Sequence, residues 1–298
     1  MSLHNKFSGC MLSAALGDAL GASFYVHRAG VLRYTDDTTM MIALAEHIIE
    51  NRGRVDPKKL AWKFVEAYER EPWRGYGPGP PRIFRLIRRG EGPLELDRRL
   101  YPGGSFGNGG AMRVAPIGLY YHDRIGDLEE VVKRSCKPTH NHPFAIEGAL
   151  LEAASIAMVV KVDSRSEVNP VEFVEKLIDL PLSDVYRRKL KLIPKLIESD
   201  ADRRTIVKTL GNTVEAHNSV PAAVYCYLRE QDPLRTISRA ISLGGDRDTI
   251  ACMAAAIAGA HRGLKMVPAE YLDRLENYER IRALAEKLCS LKLELEGR

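Results

Sequence analysis

Thr35, Asp36 and Asp37 stand in a row within YTDDTTMMIALAEHI at 34–48, and Asp246, Asp248 and Thr249 recur within SLGGDRDTIACMAAAIAGAHRG at 242–263. In both places acids and a hydroxyl lead into an apolar stretch of helical length. A site shared by the two runs brings four carboxylates together. Such a cluster is costly without a cation, because like charges repel and raise one another's pKa. Hard oxygen donors, with no thiolate or clustered imidazole among them, favour Mg²⁺, with Mn²⁺ or Ca²⁺ also suited. The plainer alternative is two unrelated helix starts, whose first-turn acids answer the helix dipole.

Positioning these groups is the work of the surrounding elements. Gly244 and Gly245 permit a turn that a side chain would block, and Asp248 or Thr249 is placed to cap the following helix. Ala254, Ala255, Ala256, Ala258, Gly259 and Ala260 make that helix narrow, so that neighbours approach closely. Residues 7–23 read as a helix of small and apolar residues with Asp18 embedded. A buried acid needs partners, and tying down a loop backbone is the expected role, ahead of supporting a metal ligand. The Asp36–Asp37 helix extends to about Glu50, and Pro57 starts the next one.

Two glycine-rich loops follow. EPWRGYGPGPPR at 71–82 interleaves glycine with proline, and it carries Trp73 and Tyr76 as either ligand-stacking rings or a packed lid. Pro81 suits the first turn of a helix at 82–89, whose free amides suit an anion. In YPGGSFGNGGAMRVAP at 101–116, glycines 103, 104, 107, 109 and 110 let backbone amides face a phosphate. That loop lacks a P-loop lysine, and a merely flexible turn fits its composition equally. A helix after it should pack Met112, Val114 and Ile117, with Arg113 paired or facing phosphate. His140 and His142 in CKPTHNHPF suit a helix start or the edge of a substrate cleft better than metal ligation.

The chain has 298 residues, 45% hydrophobic and 28% charged, with a formal charge of +5. That modest charge is spread along the chain; RLIRRG and DRRL are the nearest thing to a basic patch, and a solvated helix face explains the first as well as phosphate binding does, so no stable nucleic-acid complex is expected. Five dispersed cysteines, without a CxxC pair, indicate buried reduced thiols. No apolar segment reaches the ~20 residues of a membrane span, so a cytoplasmic monomer is expected. Further helices are expected at 125–135, 143–160, 170–178, 184–197, 202–208 and 233–241. Another, at 217–230, enters through Ser219 and Pro221, and the tail should form an amphipathic helix pair. With few alternating strands and no repeat, residues 1–298 read as one all-α domain.

Taken together, GDALG at 17–21, YTDDTTM at 34–40, GYGPGPP, SFGNGGAMRVAP at 105–116 and GGDRDTIACMAAAIAGA at 244–260 resemble the ADP-ribosylglycohydrolase superfamily. Within it, the chain is most similar to the branch that acts on serine-linked ADP-ribose and O-acetyl-ADP-ribose. The resemblance implies a compact orthogonal multi-helix fold and two Mg²⁺ ions between the acidic helix starts. Carried onto this chain, the metal ligands are Thr35, Asp36, Asp37, Asp246, Asp248 and Thr249, with Mn²⁺ as an alternative ion. Gly77, Gly79, Ser105, Phe106, Gly107, Asn108, Gly109 and His142 border the substrate. The implied reaction is hydrolysis at the anomeric carbon of the distal ribose, in ADP-ribosylated protein or O-acetyl-ADP-ribose. Asp36 or Asp37 takes the proton of the attacking water.

Two positions depart from the family pattern. Tyr25 stands where this branch commonly has glutamate, and its phenol is neutral near pH 7. Arg247 interrupts the usual GGDTDT, placing a cation between two acids. The Tyr25 exchange makes a non-hydrolytic protein that binds Mg²⁺ and ADP-ribose the main alternative. A metal-dependent glycosidase acting on another nucleotide derivative is the next.

Overall fold

The described residues of the computed structural model are 1–23 and 30–296. The chain opens with α1 (Leu3–Ser23), α2 (Asp36–Glu50) and α3 (Pro57–Arg70), then α4 (Gly79–Arg88), the short α5 (Leu96–Leu100) and α6 (Ala115–Tyr120). It continues through α7 (Leu128–Cys136), α8 (Pro143–Val160), α9 (Pro170–Ile178), α10 (Asp184–Glu198) and α11 (Arg203–Leu210). Last come α12 (Ala216–Glu230), α13 (Pro233–Leu243), α14 (Arg247–Arg262), the single turn α15 (Ala269–Leu272) and α16 (Tyr278–Glu296). Strand pairing among the described residues is confined to two isolated bridges, Leu32 with Leu275 and Gly107 with Glu215. The all-α expectation holds.

The centre of the molecule is the packing of α1 on α14. Both helices present small residues, and their backbones lie too close for larger ones. A Cβ on Gly17 would sit 2.3 Å from the Ala251 carbonyl oxygen, and one on Gly259 would sit 2.2 Å from that of Gly9. The alanine run therefore does what its composition suggests: it lets α1 run against the helix that carries Asp246 and Asp248. α8, α12 and α13 pack around α14, while α2 and α16 flank α1. α8 is long and apolar enough to cross a membrane by length and composition, yet most of it is buried within the domain. All five cysteines are buried free thiols.

Three local expectations need correction. Met112 and Val114 precede α6 instead of belonging to it, because the chain runs on through a 3₁₀ turn at Asn108–Gly110 and helix begins at Ala115. α12 starts at Ala216, so Pro221 lies inside the helix. Proline has no N–H for the carbonyl four residues back; Lys189 Nζ donates to that His217 oxygen at 2.7 Å instead. The tail is one long helix preceded by a single turn, not a matched pair, since residues 273–277 form a connection held against Leu32.

Candidate functional site

The start of α2 is built by Asp18. Its side chain, fully buried in α1, accepts the Thr35 N–H at 3.0 Å, the Thr38 N–H at 3.1 Å and the Thr38 hydroxyl at 2.6 Å. Thr35 is the N-cap and accepts the Asp37 N–H at 3.3 Å. The Asp36 N–H donates to the Arg74 carbonyl at 2.9 Å. The first-turn amides that would draw in nearby acids are thus already satisfied, which leaves the carboxylates of Asp36 and Asp37 free to face a ligand. The backbone-holding role expected of Asp18 is the one observed.

The start of α14 is built differently. Gly244 and Gly245 adopt φ of +74° and +67°, the left-handed turn that the pair was expected to make. Asp246, not Asp248 or Thr249, takes the N-cap position, and its side chain makes no cap bond. Its carboxylate turns instead to Asn108 of the second glycine loop, whose side-chain amide donates at 2.5 Å; the Asp246 N–H reaches the Asn212 carbonyl at 2.8 Å. Gly21 lets α1 pass this turn, since a Cβ there would lie 2.5 Å from Asp248 Cα.

Between the two starts lies a cavity of about 630 Å³. Asp36, Asp37, Asp246, Asp248 and Thr249 line it together, with Gly77 and Gly79 on one wall and residues 105–109 on another. Phe106, 46% exposed, stands at the rim. Asp97 holds the second glycine loop from behind: its buried carboxylate accepts the Ser105 N–H at 3.0 Å and the Asn141 N–H at 2.7 Å. His140 fills the space against the loop, where a Cβ on Gly109 would lie 2.4 Å from its ring. A larger cavity of about 760 Å³ adjoins Thr35, Trp73 and Ile237, but among the described residues no carboxylate lines it. Size therefore does not single out the candidate site; the convergence of acids does.

The electrostatics of the cluster are strained as the residues stand. Burial, then the neighbouring charge of Asp18, pushes Asp36 up to about 8. The same two causes hold Asp37 well above the carboxylate range, and its Oδ2 is buried without a hydrogen-bond partner. Burial, then Asp248, raises Asp246 to about 6. Among the described residues no three carboxylate, imidazole or thiol groups close into a ready-made metal cage. The donor chemistry nonetheless fits a hard cation: the groups are all oxygens, they face one cavity, and one carboxylate oxygen is buried with nothing to bond. His140 is held down to about 3 by burial and by the Arg113 charge, so its imidazole is neutral.

Two residues expected at the site do not line this cavity. Thr35 faces the neighbouring one and spends its hydroxyl as a cap. His142 is the N-cap of α8, where it accepts the Phe144 N–H at 3.1 Å; it borders the loop from outside the cavity, through its N–H to the Ser105 carbonyl at 3.4 Å and an edge contact with Phe106 at 5.5 Å. Tyr25 lies outside the described residues, and Arg247 is the half-buried first residue of α14. Arg113 is paired, not phosphate-facing: it is fully buried and donates to the Ser135 carbonyl and the Thr139 hydroxyl at 2.9 Å. Tyr76 packs on Tyr68 and Phe84 as a lid would, whereas Trp73 is 70% exposed. Sequence reasoning missed Asp97, which stands beside Arg98 and Arg99 in a short basic run. It also undervalued His140, whose burial depends on glycines 30 residues away.

Comparison with known proteins gives a consistent result. The sequence model of one family, described as ADP-ribosylglycohydrolase, matches residues 1–296. ADP-ribosylhydrolase ARH3 of Bos taurus is 34% identical, covering 95% of this chain and 92% of that protein. ARH3 of Homo sapiens is 33% identical over 95% of this chain and 93% of its own. An uncharacterised protein of Archaeoglobus fulgidus is 30% identical, with 98% and 99% covered. A solved structure titled ADP-ribosylglycohydrolase-related protein complex superposes with a TM-score of 0.75 at 24% identity, over 97% of this chain and 99% of that one, which speaks for the fold.

Proposed function

Because the chain belongs to the ADP-ribosylglycohydrolase family, we propose that it is a Mg²⁺-dependent hydrolase that releases ADP-ribose by cleaving the bond at the anomeric carbon of the distal ribose. The carrier of that ribose is an ADP-ribosylated protein or O-acetyl-ADP-ribose, and the enzyme works as a cytoplasmic monomer. One observation carries the reading: acids from two helix starts far apart in sequence line one cavity with the glycine loop, and an oxygen of Asp37 is buried there without a partner.

Asp36, Asp37, Asp246, Asp248 and Thr249 would hold two Mg²⁺ ions, while Thr35 holds the start of α2 as its cap. Bound there, the ions supply Lewis acidity toward the ribose hydroxyls and make water a better nucleophile near neutral pH. The chain's own groups do the rest. Asp36 or Asp37, deprotonated once the cation is bound, takes the proton of the attacking water. The surrounding carboxylates favour the positive charge that develops on the ribose ring as the bond breaks. Asn108 fixes the orientation of Asp246. In the loop from Ser105 to Gly109, clamped by Asp97, the Ser105, Gly107 and Asn108 amides donate to Asp97, the Ser105 hydroxyl and the Val214 carbonyl, so Phe106 and Gly109 would offer the main-chain amides to the diphosphate. Phe106 offers its exposed face at the rim to the rest of the nucleotide.

The test is ADP-ribose release by the purified protein, from serine-linked, arginine-linked and O-acetyl-ADP-ribose, with Mg²⁺ and with chelator. Release from one carrier, abolished by chelator, is the expected outcome. The exchange of glutamate for Tyr25 favours a second reading, a protein that binds ADP-ribose without cleaving it. Binding with no release from any carrier would put that reading in place of the first.

A further inference from the structure

We propose that Arg74 and Glu276 are positioning residues, through which the connection before the last helix fixes where Asp36 stands. The choice of Asp36 as a metal ligand rests on the function proposed above; the geometry of its placement does not.

Arg74 is a buried cation in the first glycine loop, its side chain only 4% exposed. Its guanidinium donates to both oxygens of Glu276, at 2.7 and 3.2 Å, to Glu71 at 2.8 Å and to the Tyr34 carbonyl at 3.0 Å. It also lies 4.2 Å over the Tyr34 ring. The backbone of the same residue accepts the Asp36 N–H at 2.9 Å. One residue thus grips the segment just before α2 by its side chain and the first residue of α2 by its carbonyl.

Glu276 is anchored in turn. Its N–H donates to the Leu32 carbonyl at 3.0 Å, the Leu32 N–H donates to Arg274 at 2.7 Å, and Asn277 donates to the Tyr34 hydroxyl at 2.7 Å. The segment 274–277 therefore runs beside 32–34 as a short splint. Two carboxylates on a fork-shaped donor give directional bonds, not merely charge balance. A shift of Glu276 would be transmitted to Arg74 and from there to the Asp36 amide. The charge of Arg74 is not needed to neutralise the acid cluster, because Glu71 and Glu276 already pair with it.

The experiment compares Glu276→Gln, Arg74→Met, the double variant, and Glu69→Gln, which breaks only the exposed pair of Glu69 with Arg88. Two quantities are read: amide hydrogen exchange over residues 34–40 and over α14, and Mn²⁺ affinity from the free-ion resonance signal. Glu276→Gln and Arg74→Met should each speed exchange over 34–40 by about tenfold while α14 keeps its protection. Each should weaken Mn²⁺ binding about tenfold, and the double variant should match the worse single one, since both act through one linkage. Glu69→Gln should change neither. Exchange at 34–40 that stays at the wild-type rate, or that quickens only as much as in α14, would overturn the proposal. If the wild-type protein binds no Mn²⁺, the metal reading fails, and the exchange data alone decide the positioning. Should Arg74→Met fail to fold, the milder Glu276→Gln carries the same comparison.

Discussion

Asn108 donates to Asp246 at 2.5 Å and, from the same amide nitrogen, to Ser219 at 3.1 Å. A loop expected to hold diphosphate is thereby joined to an acid expected to hold metal, so the halves of the site are not independent. Asn108→Leu keeps the volume but removes the donor. It should lower ADP-ribose release at least about tenfold and cost roughly 1–3 kcal/mol of stability, because Asp246 loses its buried partner. Steady-state kinetics with a urea melt check this; unchanged kinetics would mean the link is incidental.

Asp18 touches no part of the cavity wall, yet it holds the Thr35 and Thr38 amides. Asp18→Asn puts an N–H₂ group among N–H donors. The expected loss is on the order of 3 kcal/mol, with Mn²⁺ affinity falling in the fraction that remains folded. Denaturant unfolding followed by metal titration tests both halves of the statement.

Protons and metal should compete. Asp36 and Asp246 sit at about 8 and about 6, above their unfolded range. Between about pH 4 and pH 8 the metal-free fold therefore binds more of these protons than the unfolded chain does. The contribution of these groups is most favourable below pH about 4 and declines as pH rises through the folded values. Mg²⁺ displaces the protons, so the rise in melting temperature on adding Mg²⁺ should be larger at pH 8 than at pH 6. An increment that shrinks with rising pH would contradict this assignment of the acids.

The glycines of GDALG should tolerate nothing larger. Gly17→Ala drives a Cβ to 2.3 Å from a backbone oxygen of α14 and should cost about 3 kcal/mol. Gly21→Ala presses on Asp248 and should weaken metal binding as well. Gly126→Ala, which meets nothing within 4 Å, should stay within about 0.5 kcal/mol of wild type. Thermal melts of the three variants, with Mn²⁺ titrations, would show the ranking.

Much of this architecture was legible because its signals are local. Pro143 and Pro170 mark helix starts that the structure reproduces, and Pro57 does the same for α3. The acids at 36, 37, 246 and 248 are legible because the same side-chain chemistry occurs twice before an apolar helix. What the chain hides is whatever depends on contacts between distant segments. Asp97 carries no local signal beside Arg98 and Arg99; its role shows only where its oxygens meet Ser105 and Asn141. Of the two readings open for His142, helix start or cleft edge, the cap that its Nδ1 gives α8 bears out the first. Thr35 lists naturally with its acidic neighbours, yet its hydroxyl faces its own helix.

The splint between 274–277 and 32–34 also bears on the order in which the protein is made. Asp36 and Asp37 leave the ribosome early, whereas Glu276 and Asn277 follow more than 200 residues later, as the separation of 202 between Arg74 and Glu276 already implies. Contacts of such long range close late and slowly in folding. A growing chain thus carries its first pair of acids held by Asp18 and by the Arg74 carbonyl, and later its second pair, before Glu276 can grip the Arg74 side chain. The grip of Glu276 on Arg74 is therefore added near the end of synthesis, after both pairs of acids have been made.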